Sequence, residues 1–132
     1  MDTKITSTLD EKKALKIKAL EVAQWYLKRK GHEVIVANTS LQSKLADIIS
    51  KDGDELVFIE VRARKAKERG FPEEVNTDKK REKYEKIAQD YLFNNTLPSM
   101  GIRFDVVGVL LSDDGKAFLR HHRDVFGVSI DI

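Results

Sequence analysis

Leu56-Val57-Phe58-Ile59-Glu60-Val61-Arg62 is the stretch whose reading decides the fold. It is apolar except at Glu60 and Arg62, and it reads as a buried strand. Side chains alternate faces along a strand, so Glu60 and Arg62 project to one side and Val61 to the other. A carboxylate in such a strand must be paired, hydrogen-bonded or bound to a cation, because burying it alone is costly. Upstream, Asp47 repeats the pattern within Leu45-Ala46-Asp47-Ile48-Ile49, read as a strand over residues 45–50. Between the two runs lies Lys51-Asp52-Gly53-Asp54, whose Asp-Gly pair signals a hairpin turn. Asp47 and Glu60 are thus expected on hairpin partners, with their carboxylates approaching each other on one face. Two carboxylates followed by a cation suggest a divalent-metal site facing phosphate, with the main-chain carbonyl of Val61 as a third ligand. The competing account is a buried ionic network closed by Arg62 or Arg64.

Working outward, residues 1–8 read as a loose tail, and Thr8-Leu9-Asp10-Glu11 has the form of a capping box. A helix over about 9–30 places Leu15, Ala19, Val22, Ala23 and Tyr26 on one face, with Gly31 as its stop. Glu21 borders that face and reads from spacing as a solvated helix glutamate. A short strand spans Glu33 to Ala37, and a polar bend runs from Asn38 to Lys44. Beyond the central strand, read as Glu55 to Arg64, residues 65–78 contain Gly70 and Pro72 and read as an irregular connection. A second helix over about 77–94, capped by Asn76 or Thr77, buries Tyr84, Ile87, Ala88, Tyr91 and Leu92. Lys79 and Lys80 fall in its first turn, where cations oppose the helix dipole, a small misplacement that phosphate binding would explain. After a loop at Pro98 come a strand from Arg103 to Leu111, an Asp-Gly turn at Asp114-Gly115 and a strand over about 116–121. Asp105 reads as structural, and Phe126 and Val128 as folding back onto the core. The order of elements predicts one α/β domain over residues 1–132, a mixed central sheet flanked by helices.

With 24 Lys and Arg against 22 Asp and Glu, the net charge is only +2, so any basic surface must come from local clustering. Such clustering exists: from Arg62 to Lys83 there are nine basic residues against five acids. The chain has no cysteine, which excludes disulfides, thiolate zinc sites and cysteine nucleophiles. His32, His121 and His122 show no metal-binding spacing. No apolar run approaches the roughly 20 residues of a membrane span, and the N-terminus lacks the apolar core of a signal peptide. A cytoplasmic protein, monomer or homodimer, with no membrane partner is the expectation.

Asp-x(n)-Glu-x-Lys on a hairpin, with a helix on either side, is the signature of the PD-(D/E)XK, or restriction-endonuclease-like, fold. More closely, the chain resembles the YraN-like family of small bacterial proteins with that fold, over about residues 14–127. The resemblance rests on Leu20-Glu21-Val22-Ala23, Tyr26-Leu27, Gly31, Ala37-Asn38 and Ala46-Asp47-Ile48-Ile49. It continues through Leu56 to Arg64, Phe71-Pro72-Glu73-Glu74-Val75, Lys79, Ala88, Tyr91-Leu92 and Arg103-Phe104-Asp105-Val106-Val107.

The resemblance implies an αβββαβ core and a metal-dependent endonuclease-like activity on nucleic-acid phosphodiesters, DNA favoured over RNA. It implies Mg²⁺ or Mn²⁺ held by Asp47 and Glu60, with Glu21 joining the site. Arg62 would then contact phosphate, and Arg64, Lys65, Lys79 and Lys80 would track the backbone. Three positions depart from the family pattern. Lys44-Leu45-Ala46-Asp47 stands where the family usually has Gly-Glu-Ile-Asp, so one acid is lost. Leu20 replaces a glycine before the helix glutamate. Glu60-Val61-Arg62 replaces Glu-Val-Lys, and an arginine holds phosphate but cannot act as a base. These departures favour the alternative of a nucleic-acid-binding module that keeps the fold and has lost the chemistry.

Overall fold

A computed structural model describes residues 3–66, 78–95 and 100–126, with side chains from residue 9. The expectations for residues 1–2, Lys67 to Thr77, Pro98 and Val128 lie outside the described residues. These include Gly70, the Phe71-to-Val75 segment and the cap at Asn76 or Thr77.

The elements run α1 (Thr3–Arg29), β1 (Glu33–Ala37), β2 (Ile48–Asp52), β3 (Glu55–Lys65), α2 (Asp78–Asn94), β4 (Gly101–Leu111) and β5 (Ala117–His122). The five strands form one sheet in the order β1-β2-β3-β4-β5. Only β3 and β4 are parallel; the other neighbours are antiparallel. The parallel pair runs in register from Glu55 with Gly101 to Lys65 with Leu111, and α2 lies on the crossover between them. The arrangement is a single α/β domain with a mixed sheet and two helices, consistent with a restriction-endonuclease-like fold.

Both faces of β3 are covered, which is why its sequence is nearly continuous in apolar residues. On one face Ile48, Val57, Ile59, Val61, Val107 and Val109 pack against Ala19, Leu20, Ala23 and Leu27 of α1. On the other, Ile49, Leu56, Phe58, Ile102 and Phe104 pack against Tyr84, Ile87 and Ala88 of α2. The buried face of α1 is turned from the expected one: Leu20 and Leu27 are fully buried, while Val22 and Tyr26 pack only at its margin.

Two boundaries correct the sequence reading. Helix α1 begins at Thr3, so residues 3–8 are helical rather than a tail, and Thr8 is interior rather than a cap. Neither Pro nor Gly interrupts residues 3–29, so nothing in the chain opposes the extra turns. Its end is as expected: Gly31 takes φ 94°, His32 N–H donates to Leu27 C=O (2.9 Å) and Gly31 N–H to Lys28 C=O (3.1 Å). The second correction is β2, which starts at Ile48, so Asp47 sits on the bend just before the strand.

Candidate functional site

The loop that delivers Asp47 is organised by Asn38, which is buried at the end of β1. Its main-chain N–H donates to Asp47 C=O (2.8 Å), closing the loop at its base. Its side-chain amide donates to Gln42 C=O (2.8 Å), and its carbonyl oxygen accepts from Ser40 Oγ (3.1 Å) and Gln42 N–H (3.2 Å). Because β2 stops at Ile48, its ladder with β3 ends at the pair Ile48–Ile59. Val61 is thereby left with its main-chain groups facing a gap where a strand would otherwise continue. Asp47 fills that gap with its side chain: Val61 N–H donates to Asp47 Oδ2 (2.8 Å).

Val61 C=O does not face water either. Lys16 reaches in from α1, its ammonium donating to Val61 C=O and to Asp47 Oδ2 (2.9 Å). A carboxylate oxygen of one segment and a carbonyl oxygen of another therefore converge on a single cationic nitrogen. Glu60 is alongside on β3, held by Lys80 of α2 (2.7 Å) and by Arg62 (3.4 Å). Asp47 and Glu60 line one cleft of about 180 Å³ together with Lys16, Lys83, Tyr84 and residues of the Asn38 loop. Burial pushes the Tyr84 hydroxyl above its ordinary value, and the carboxylates of Glu60 and Asp47 push it further, so both acids act on one point.

The donor chemistry fits a hard divalent cation. Asp47 Oδ2 and Val61 C=O already share a cation, a charged oxygen is available on Glu60, and every candidate ligand is oxygen. Among the described residues no group of three or more His, Asp or Glu side chains is arranged to hold a metal. An ion here would complete its shell from Val61, water and substrate oxygens, as magnesium commonly does.

The other expected site residues are scattered. Arg62 is half-buried beside Glu60, and Arg64 and Lys65 follow it along β3, also half-buried. Lys80 enters the cleft's charge cluster, whereas Lys79 is exposed. Glu21 is not among the residues lining the cleft; its side chain is 63% exposed and lies 3.7 Å from Lys18. Sequence reasoning missed Lys16, Lys83 and the cleft role of Tyr84. Lys16 did carry a signal: 16, 20, 23 and 27 follow the spacing of the buried stripe, so a lysine occupies an apolar position.

A second charged cluster, also missed, lies on the α1 face at the start of β4. Arg103, 4% exposed, donates to Asp105 through Nε (2.9 Å) and Nη2 (3.0 Å), to Glu55 (2.9 Å) and to Asp52 (3.0 Å). Asp105 also pairs with His121 Nε2 (2.8 Å) and accepts from Asp124 N–H (3.0 Å). Tyr26 and His121 Nδ1 are 3.0 Å apart, and His32 Nδ1 lies 2.8 Å from Ser50 Oγ. Burial would raise the Asp105 carboxyl, but the bonds from His121 and Arg103 outweigh it and hold it down to about 2. Asp105 is thus structural, as the sequence suggested.

The class of protein is therefore a single α/β domain with a two-carboxylate cleft beside its central strand. The chain belongs to the family described as "Uncharacterised protein family UPF0102", whose profile matches residues 21–109. It is 33% identical over 105 residues to a UPF0102 protein of Carboxydothermus hydrogenoformans, covering 80% of this chain and 88% of that one. A UPF0102 protein of Pelotomaculum thermopropionicum is 34% identical over 118 residues, covering 89% and 98%. One from Clostridioides difficile is 40% identical over 91 residues, covering 69% and 80%. Among the described residues no helix is long and apolar enough to cross a membrane.

Proposed function

We propose that this protein is a metal-dependent endonuclease-like enzyme acting on DNA or RNA phosphodiesters, with DNA favoured. The observation that carries the reading is the convergence of Asp47 Oδ2 and Val61 C=O on one cation position, in a cleft that Glu60 also lines. Asp47, Val61 C=O and Glu60 would hold Mg²⁺ or Mn²⁺. Such an ion, when bound, polarises a phosphoryl group and lowers the pKa of a water. Arg62, half-buried beside Glu60, holds a phosphate oxygen and offsets the charge that develops on it. Arg62 cannot serve as a base, so it positions rather than deprotonates. Arg64, Lys65, Lys79 and Lys80 continue the positive track for the nucleic-acid backbone.

The test is cleavage of single-stranded, duplex and branched DNA in Mg²⁺ or Mn²⁺ by wild type and Asp47→Ala. Cleavage by wild type that falls by about 100-fold or more in the variant is the expected result. If no substrate is cut, or the variant cuts equally well, the catalytic reading fails.

One observation favours a second reading. Glu60 is already neutralised by Lys80 and Arg62, as in a site that has given up its metal. A non-catalytic module of this kind would bind nucleic acid in chelator and lose affinity steeply with salt, because phosphate contacts release counterions.

A further inference from the structure

We propose that Lys16 is a tethered counter-ion: its ammonium keeps the cation position between Asp47 and Val61 formed, and a divalent ion enters only by displacing it. The proposal rests on the metal reading above and adds to it a residue that reading does not contain.

Geometry supplies the first reason. The Lys16 ammonium bridges Asp47 Oδ2 and Val61 C=O, oxygens drawn from two separate segments. Among the described residues no strand continues beside Val61 on the β2 side, so its carbonyl needs a donor or a cation from elsewhere in the fold. Lys16 answers both needs with one group. Its side chain is 28% exposed, rooted one turn before the buried Leu20 on the face of α1 that packs on the sheet. The stem is therefore placed by the core while the head carries the charge.

Charge supplies the second. A single ammonium balances Asp47, and Glu60 is balanced separately by Lys80 and Arg62. A divalent ion at the Asp47–Val61 position has the charge to serve both carboxylates at once. Its entry would free the Lys16 ammonium. Lysine suits this part, since its compact charge rides a flexible stem and leaves one pair of oxygens for another at little cost in geometry. Lys16 lines the cleft beside Lys83, so its released ammonium adds to a positive potential where a phosphate would enter, tying metal entry to phosphate entry.

Exchange of this kind weakens the apparent affinity for metal, because Lys16 must first be removed. The experiment is Mn²⁺ titration of the full chain by calorimetry, and by paramagnetic resonance of free Mn²⁺. It compares wild type, Lys16→Met, Lys16→Gln and Asp47→Asn, each checked for fold by circular dichroism. Both lysine variants should bind on the order of tenfold more tightly than wild type, since each loses a charge-assisted contact that competes with the ion. Mn²⁺ should also raise their melting temperatures more than it raises that of wild type. Asp47→Asn should lose the binding. Equal or weaker binding by both lysine variants, with wild type binding and Asp47→Asn not, overturns the proposal and leaves the metal reading standing. Tighter binding that survives in Asp47→Asn overturns it too, because the ion then sits elsewhere. Absence of binding in all four proteins overturns both.

Discussion

Two clusters of acids and cations lie within a few residues of each other along the parallel pair of strands, and they are built in opposite ways. Asp105 pairs with Ile59 across the ladder and so faces α1; Glu60, the next residue on β3, faces α2. Around Asp105 the cation is arginine, whose fork meets three carboxylates at 2.9–3.0 Å, with Asp105 itself fully buried. Around Asp47 and Glu60 the cations are chiefly lysines, Lys16 on Asp47 and Lys80 on Glu60, whose side chains are 27–28% exposed. The rigid fork suits a permanent joint, since it satisfies several acceptors at once and excludes water. Flexible ammonium groups at a solvent-open cleft suit exchange. On the proposal above, the difference separates a charged cluster that holds the fold from one whose ions exchange.

The sharpest way to break that contrast is to remove one cation from each cluster. Arg103→Ala leaves Asp105 buried without its main counter-charge, and it should cost about 3–5 kcal/mol. For a domain of this size that is a fall in melting temperature of roughly 10 °C or more. Lys16→Ala should cost less, about 1–2 kcal/mol, because the ion pair it breaks is partly exposed even though Val61 C=O loses its donor. Urea melts of the two variants beside wild type make the measurement. Comparable losses would mean that the cleft is as structural as the Arg103 cluster, which is the competing account that Arg62 and Arg64 raised in the sequence.

Acid sharpens the same contrast. Asp105 titrates at about 2 in the folded chain against 3.8 for the free group, so the folded state binds its proton less readily than the unfolded state. Its contribution is present above about pH 4 and is lost as the pH falls toward 2, a loss on the order of 2 kcal/mol. His32 adds an earlier decline. Burial pushes it below its ordinary 6.5, with the charge of Arg103 adding to the push and that of Asp52 opposing it. Stability should therefore begin to fall as the pH drops through 6.5, where the unfolded chain takes up that proton first. Chemical denaturation of wild type from pH 7.5 to 2 should show both declines, and Asp105→Asn should flatten the one between pH 4 and 2, leaving the smaller part that Asp52, also held below its ordinary value, contributes.

How much of this was legible in the chain depends on the range of the contacts involved. The limits of β1, the turn at Gly53 and the mixed sheet follow from apolar runs, turn residues and a helix set between strands, and all are found. The start of β2 was misplaced because Asp47 uses its side chain, not its main chain, to meet Val61, and composition does not distinguish the two. Val61 C=O was read as a metal ligand, and in the structure it accepts from a lysine 45 residues away in sequence. The Arg103 cluster joins positions 48 and 51 residues apart, beyond the reach of any local pattern. One cue was available: Arg103 and Asp105 stand two apart in an apolar strand, hence on one face, as Glu60 and Arg62 do.

Glu21 gives the smallest expected effect and the finest cut between resemblance and geometry. The resemblance implies that this helix acid joins the site, whereas here its carboxylate lies on the exposed side of α1, 3.7 Å from Lys18. An exposed pair three residues apart contributes a few tenths of a kcal/mol at most. Glu21→Gln should therefore change stability by less than about 0.5 kcal/mol. It should also leave Mn²⁺ affinity where wild type has it, since the position offered by Asp47 and Val61 does not draw on it. Calorimetric titration of this variant beside Asp47→Asn decides the point. A loss of affinity approaching that of Asp47→Asn would show that α1 turns to bring Glu21 inward when the ion binds. Leu20 and Leu27, now fully buried against the sheet, would then have to surrender that packing.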